Sequence, residues 1–299
     1  MGTTTEDTSW VAELSNITDY VYVADNSSAP FHPPENKGHE TMIYLSYIID
    51  HYNNLSDTTI FTHGGREAWH NNDLQDFNLV RMISSLSDAH VNHVGYFNLR
   101  CHWESGCPDH MKPFATDHED RGEEQRFATA WAEIHGPEIP VPEVLGTACC
   151  AQFAASRDAI RAVPLKKWLH YREWLLNTPL EDDISGRVWE FVWQFVLTGQ
   201  AVVCPAVEHC YCGGYGLCFQ DDGELSAWLV LKEVEELAKE VHKDMKEREW
   251  MGTGAIDYRL WQKIQRPMLK LLRKAELRGQ DPSERRRLSG EARGIRRRT

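Results

Sequence analysis

Residues 58–100 read TTIFTHGGREAWHNNDLQDFNLVRMISSLSDAHVNHVGYFNLR. The β-branched and aromatic run at 58–62 predicts a strand. Residues 74–86 carry apolar positions at helical spacing, and 94–100 predict a second strand. Upstream, 21–24 is a short apolar run, Pro30, Pro33 and Pro34 mark a loop, and 38–53 is helical. In that helix Ser46, Asp50 and Asn53 form the only coherent polar face, which predicts that most of it is buried. Strand–helix–strand–helix–strand alternation predicts an α/β fold: a mostly parallel central sheet with flanking helices, Rossmann-like or glycosyltransferase-A-like, followed by a helical C-terminal region.

Downstream, 104–124 is rich in Gly, Pro, Asp and His and predicts a surface excursion. A helix over 123–135, a Pro-rich turn over 137–142 and a strand over 148–154 follow. Three helices are then expected over 156–163, 165–176 and 185–197, the last with Ser185 as N-cap and Gly199 as stop. Residues 204–219 read as an irregular Gly/Cys loop. A long amphipathic helix over 224–250 carries Val230, Val234, Leu237, Val241 and Met245 as its apolar stripe, and a last helix reaches about residue 277, started or kinked by Pro267. The expected organisation is a catalytic core over 1–220, a helical extension over 221–278 and a disordered basic tail over 279–299.

The 299 residues are 41 % hydrophobic, enough for one large core. No apolar run approaches the ~20 residues that cross a bilayer. The Thr-rich, acidic N-terminus lacks the basic and apolar regions of a signal peptide, so the expected location is cytoplasmic, with no membrane partner. The net charge of −13 conceals an asymmetry: residues 259–299 carry about +10 and the remainder about −23. An acidic body with a basic end raises the question of RNA. Lys263, Arg266, Lys270, Arg273 and Lys274 share one helix face and are the candidate phosphate contacts. Among the eight cysteines, Cys204, Cys210, Cys212 and Cys218 with His209 offer a zinc set, but their spacing fits no standard signature. Packed free thiols are the expectation, and no metal is assigned.

Three features offer chemistry. In 185–197 the polar exceptions Arg187, Glu190 and Gln194 stand at i, i+3 and i+7, on one stripe of an otherwise apolar helix. Glu181, Asp182 and Asp183 precede it. A carboxylate cluster beside such a stripe suits a guanidinium substrate or an acid/base pair, or equally an internal ion pair with the acids serving the helix dipole. The second feature, His63 to Asn72, follows a predicted strand, where ligands of α/β sheets bind; it includes Trp69, His70 and Asn71, and a plain turn is the competing reading. The third, Asn36 to Glu40, leads into a helix whose first amides can receive an anion. Phosphate-loop, dinucleotide and nucleophile-elbow motifs are missing, as is a D-x-D pair, so no cofactor is expected and the substrate is expected to arrive already activated.

The segments NKGHETMIYLSYIIDHY (36–52), IFTHGGREAWHNN (60–72), GYFNLRCHWESGCP (95–108), CCAQFAAS (149–156) and DISGRVWEFVW (183–193) resemble, in order and spacing, a fungal family catalogued as a domain of unknown function. The resemblance covers about residues 9–219. It extends to arginine-containing cyclodipeptide synthases, in or near that family, which condense two aminoacyl-tRNAs into a cyclic dipeptide. It implies arginyl-tRNA and one other aminoacyl-tRNA as partners, and a tRNA-dependent reaction without cofactor. An acidic motif in such enzymes falls either on Asp182/Asp183 with Glu190 or on Asp221 and Asp222 with Glu224. On this reading Glu190, then His63, supplies the base, and Asp183 joins the catalytic group. Asp182 and Asp183 offer the arginine pocket; Arg187, Trp69, His70, Asn71 and Asn36 are further substrate contacts. Cys149, Cys150 and Ser156 are possible nucleophiles. The alternatives are a glycosyltransferase-like enzyme and a non-catalytic RNA-binding module.

Overall fold

The structure is a computed structural model that describes residues 2–103, 105–115, 122–247 and 258–290; for 241–247 and 258–261 only the backbone is described. Two compact units divide at Pro205: Met1–Pro205 and Ala206–Thr299.

In the first unit helix α1 (Glu40–His51) precedes strand β1 (Thr58–Phe61). Helices α2 (Leu79–Ser85) and α3 (Asp88–Val94) lead into β2 (Tyr96–Asn98), and α4 (Gly122–His135) into β3 (Gly146–Thr147) and β4 (Phe153–Ser156). Then come α5 (Arg157–Ala162), α6 (Leu165–Asn177), α7 (Asp182–Glu190), α8 (Trp193–Thr198) and β5 (Val202–Val203).

The expected parallel central sheet is not there. The described strands form a three-stranded sheet in the order β1-β4-β2 and a separate pair, β3 with β5. Strand β4 runs antiparallel to both neighbours, with Phe61 opposite Phe153 and Tyr96 opposite Ala155; only the short β3–β5 pair is parallel. The alternation along the chain was real, and β1 and β2 do run the same way. The later strand expected over 148–154, found at Phe153–Ser156, lies between them and reverses the pairing. The fold is therefore neither Rossmann-like nor glycosyltransferase-A-like.

This sheet is too small to form a core alone, and aromatic side chains from the helices complete it. Phe153 packs against Phe61, Tyr96 and Trp193 with ring centroids 4.9, 5.3 and 5.2 Å away. Trp131, Trp168, Trp189 and Trp193 are all fully buried. Truncating one such side chain costs about 3–5 kcal/mol. The single helix expected over 185–197 is two helices. Phe191 leaves helical geometry at φ −101°, ψ 6°. Apart from Glu190 the sequence VWEFVW is apolar, and at the break Trp189 meets Tyr171 while Trp193 turns onto Phe153. Ser185 lies inside α7 and donates to the Asp182 carbonyl, so the N-cap position falls to Glu181. Gly199 stops α8 in the left-handed conformation at φ 73°, as expected.

In the second unit a helix α9 (Val207–Tyr215) occupies the segment expected to be an irregular loop. It is followed by α10 (Asp222–Glu247) and α11 (Tyr258–Gln280), which pack together, and by α12 (Pro282–Leu288). Asp221 Oδ1 accepts from the Glu224 amide while Glu224 accepts from the Gln220 amide and from Arg278. The acidic run 221–224 is thus a helix-start cap with an ion pair. On α10 the stripe residues Val230, Val234 and Leu237 are exposed, and Leu225 and Trp228 make the buried face. Val241 and Met245 lie outside the described side chains. Part of the tail expected to be disordered is helical: Asp281 caps α12, and Leu288 is buried with Cys212 and Cys218. Residues 291–299 lie outside the described residues. No helix among the described residues is long and apolar enough to cross a membrane.

Candidate active site

The C-terminal ends of β1 and β2 and the N-terminal end of β4 fall at one edge of the sheet, because Phe61 and Asn98 both pair with Phe153. The loops that leave this edge converge. Gln152 ties them: its Oε1 accepts from the His63 amide at 3.1 Å, and its Nε2 donates to Asn71 Oδ1 at 2.9 Å. Asn71 Nδ2 donates to the Phe77 carbonyl, so this fully buried side chain, expected to touch substrate, is engaged as scaffold at both ends of its amide. Asn72 ties residues 99 and 101 in the same manner.

A second convergence brings in helices α1 and α7. Gly38 has φ +66° and His39 φ +52°, two successive left-handed residues that turn the chain sharply into α1. Gly38 lies against Leu175, where a Cβ would approach Cδ1 to 2.6 Å. Gly186 of α7 lies against the same turn: a Cβ there would stand 2.7 Å from His39 Cδ2. Two bare glycines thus allow the NKGHE and SGRVWE segments to touch. The first residue of α1, Glu40, is turned inward and buried, near Glu190 one helical turn beyond Gly186.

The resulting cluster contains Glu40, Tyr44, His63 and Glu190. Burial, and then the nearby Glu190, push the Glu40 carboxyl up to about 8. Burial also raises Glu190, opposed by the Cys150 amide, which donates to its Oε2 at 3.4 Å, and by Arg187. Burial drives His63 down to about 3, helped by His70, whose Nε2 lies 3.2 Å from His63 Nδ1. Burial and the charge of Arg100 lower His70 in turn. His63 Nε2 and Glu40 Oε2, 4.0 Å apart, therefore face each other at neutral pH as an uncharged imidazole and a protonated carboxyl, not as an ion pair. His63 Nε2 and the Tyr44 hydroxyl are buried without a hydrogen-bond partner among the described residues. Both carboxylates raise the Tyr44 pKa, after burial, so this hydroxyl belongs to the same cluster.

Around the cluster lie Arg100, buried against the Cys149 sulfur, and Trp69, exposed at 69 %, whose ring lies 5.3 Å from the Arg100 guanidinium. Of the residues singled out in the sequence, the structure brings together Glu190, His63, Trp69, His70 and Asn71. It does not bring in the others. Asp182 and Asp183 are exposed in the first turn of α7, about 10 Å along the helix from Glu190. Arg187 points to Glu123 Oε2 at 3.5 Å. Gln194, beyond the helix break, is buried and donates to the Phe191 and Ala201 carbonyls. Asn36 is exposed. Lys263, Arg266, Lys270, Arg273 and Lys274 are all exposed on α11. Glu40, Tyr44 and Arg100 were missed. The first two had a signal: they stand at i and i+4 on α1, opposite its Ser46/Asp50 face.

No described cysteine is a free thiol. Cys107 pairs with Cys204, Cys149 with Cys150 and Cys212 with Cys218, which replaces the expectation of packed thiols. Sulfurs of the suggested zinc set are thereby committed to other cysteines. A shallow groove of about 430 Å³ between Pro34 and α6 is lined by Lys166, His170, Arg172 and Glu173. It shares no residue with the carboxylate cluster, and the cluster is the better site because Glu40 and Tyr44 are buried, His63 and Glu190 are half-buried, and burial shifts all four.

Fold and site together define a helix-rich α+β protein with a buried acid–base cluster at the edge of a small antiparallel sheet. The chain belongs to the DUF3431 family, described as a protein of unknown function, whose family model matches residues 1–213. No curated protein and no solved structure matches the chain.

Proposed function

We propose that this protein is a tRNA-dependent aminoacyl transferase that joins arginyl-tRNA to a second aminoacyl-tRNA and releases a cyclo(Arg-Xaa) diketopiperazine. The observation that carries the reading is the Glu40–Glu190 pair: two adjacent carboxyl groups, both raised, with an uncharged histidine and a tyrosine hydroxyl beside them. Such a pair divides into an acid and a base. Glu190, whose Oε2 accepts from the Cys150 amide, is the base that takes a proton from the substrate ammonium. The freed amine attacks the neighbouring aminoacyl ester; a C–N bond forms and the C–O bond to the tRNA ribose breaks. Protonated Glu40 gives its proton to the departing ribose oxygen and takes back the proton that the nitrogen of the new amide loses, and Glu190 releases its own to solvent. A second attack of the same kind closes the ring and frees the other tRNA.

The charged tRNA ester is already activated, which suits a chain without a nucleotide-binding motif. The exposed cations of α11 suit its phosphates. Asp182 and Asp183, at the far end of the helix that carries Glu190, are the proposed contacts for the arginine guanidinium. The glycosyltransferase-like alternative drew on a parallel sheet and loses that support. Aminoacyl-tRNAs place the protein in the cytoplasm, where dithiols keep most cysteines reduced, so the assay is run with and without reductant. Purified protein is incubated with a pool of charged tRNAs and the products are analysed by mass spectrometry. An arginine-containing cyclic dipeptide with matching release of uncharged tRNA is expected. No cyclic dipeptide under either redox condition rejects the reading.

A further inference from the structure

Adjacent cysteines 149 and 150 are joined to each other, and this ring forms part of the wall of the site just described. Arg100 Nη1 donates to the Cys149 sulfur and lies 3.7 Å from that of Cys150. The Cys150 amide donates to Glu190 Oε2. Cys150 and the next residue, Ala151, hold φ +79° and +47°, left-handed values that side chains rarely adopt. Beyond them Gln152 carries the ties to His63 and Asn71. One short turn therefore joins a disulfide, a guanidinium and the proposed base.

We propose that the Cys149–Cys150 disulfide is a thiol–disulfide exchange site, opened by a dithiol, whose state sets whether the Cys150 amide is held on Glu190. Three features single it out from the other bridges. It closes no chain loop beyond two neighbouring residues, whereas Cys107–Cys204 spans a separation of 97, so it has the least loop-closure entropy to retain it. Cys150 is partly exposed, whereas Cys212 and Cys218 are buried. Arg100 stabilises negative charge on the Cys149 sulfur, which makes that sulfur the better leaving group.

The step balances. A dithiol thiolate attacks the Cys150 sulfur, the S–S bond breaks, and its electron pair leaves on Cys149 as a thiolate against Arg100. The second thiol of the reagent then attacks the mixed disulfide and frees Cys150. The reagent ends as a disulfide, and the protein has gained two electrons. With the ring open, Cys150 and Ala151 are free to leave the left-handed region, and the amide leaves Glu190. This holds whatever reaction the site performs.

The test uses the full chain, fully oxidised, exposed to graded dithiothreitol and then alkylated; labelled peptides are read by mass spectrometry, and amide hydrogen exchange is followed at Cys150. Cys149 and Cys150 are expected to label at a dithiol concentration at least about tenfold below that needed for Cys107 and Cys204. Exchange at the Cys150 amide is expected to rise over the same range. Arg100→Gln is expected to slow opening about tenfold, and Arg100→Lys, which keeps a cation, to slow it less. The order of opening and the exchange at Cys150 need no variant, so they decide the matter even where a substitution at Arg100 fails to fold. Labelling of Cys107 and Cys204 at the same or lower dithiol, unchanged exchange at Cys150, or a folded Arg100→Gln protein that opens as fast as the original overturns the proposal.

Discussion

Replacing Glu40 with glutamine keeps the side chain's shape and removes its proton. In the folded chain this carboxyl titrates near 8, against an ordinary value of 4.5. Between those values the folded state holds a proton that the unfolded state has lost, so stability falls as pH rises through the window. The slope reaches about 1.4 kcal/mol per pH unit, and the whole window amounts to an upper bound of about 5 kcal/mol. His63 acts the other way in a lower window: its folded value near 3, against 6.5, makes stability rise with pH between those limits. His135, lowered by burial to about 4, and His70, also lowered, add to His63 in that window and are common to both proteins, so the difference between the two profiles isolates Glu40. Glu40→Gln should gain on the original protein as pH rises from about 4.5 to about 8. Urea unfolding followed by tryptophan fluorescence across this range reads the difference directly. Parallel pH profiles for the two proteins would refute the buried, protonated Glu40 and with it the acid–base pair.

Glu190→Gln should leave the fold intact and slow turnover by about 10²–10⁴, the range for a general base; near-normal turnover returns Glu190 to a structural role. In Gly186→Ala the new Cβ would stand 2.7 Å from His39 Cδ2 and 3.3 Å from the Gly38 carbonyl oxygen, so α7 and the turn must separate. A stability loss of about 1–3 kcal/mol is expected in thermal or urea unfolding, and an unchanged midpoint would contradict that close approach. Reversing the charges of Lys263, Arg266 and Lys270 should weaken tRNA binding and reduce its salt slope by about 0.7–0.9 for each phosphate no longer neutralised; equal slopes would remove α11 from the tRNA site.

Part of the candidate site was legible in the sequence, where it depends on local chemistry. A charged residue on an apolar helix marked Glu190, and histidines after a predicted strand marked His63 and His70. Both signals survive the correction of the fold, since loops at strand ends converge whether the neighbouring strand is parallel or not. Sheet topology was illegible even though a strand was expected at 148–154, because nothing in FAAS marks it as inserting between β1 and β2 and running against both. The helix break at Phe191 was hidden for a related reason: a run apolar on every side gives no period to lose. Glu40 went unread because its burial comes from a left-handed turn at Gly38 and His39, which depends on contact with Gly186 and Leu175 far along the chain. Cys107 and Cys204 pair across a separation of 97 residues, which spacing alone does not reveal.

The most direct test of the account is a single-turnover reaction with arginyl-tRNA labelled in its arginine, mixed with a second charged tRNA and excess protein. The original protein is expected to move the label into a cyclic dipeptide, with Glu190→Gln slower by about 10²–10⁴ while binding arginyl-tRNA with unchanged affinity. Label that stays on tRNA with the original protein, or equal transfer by the original and Glu190→Gln, would contradict it.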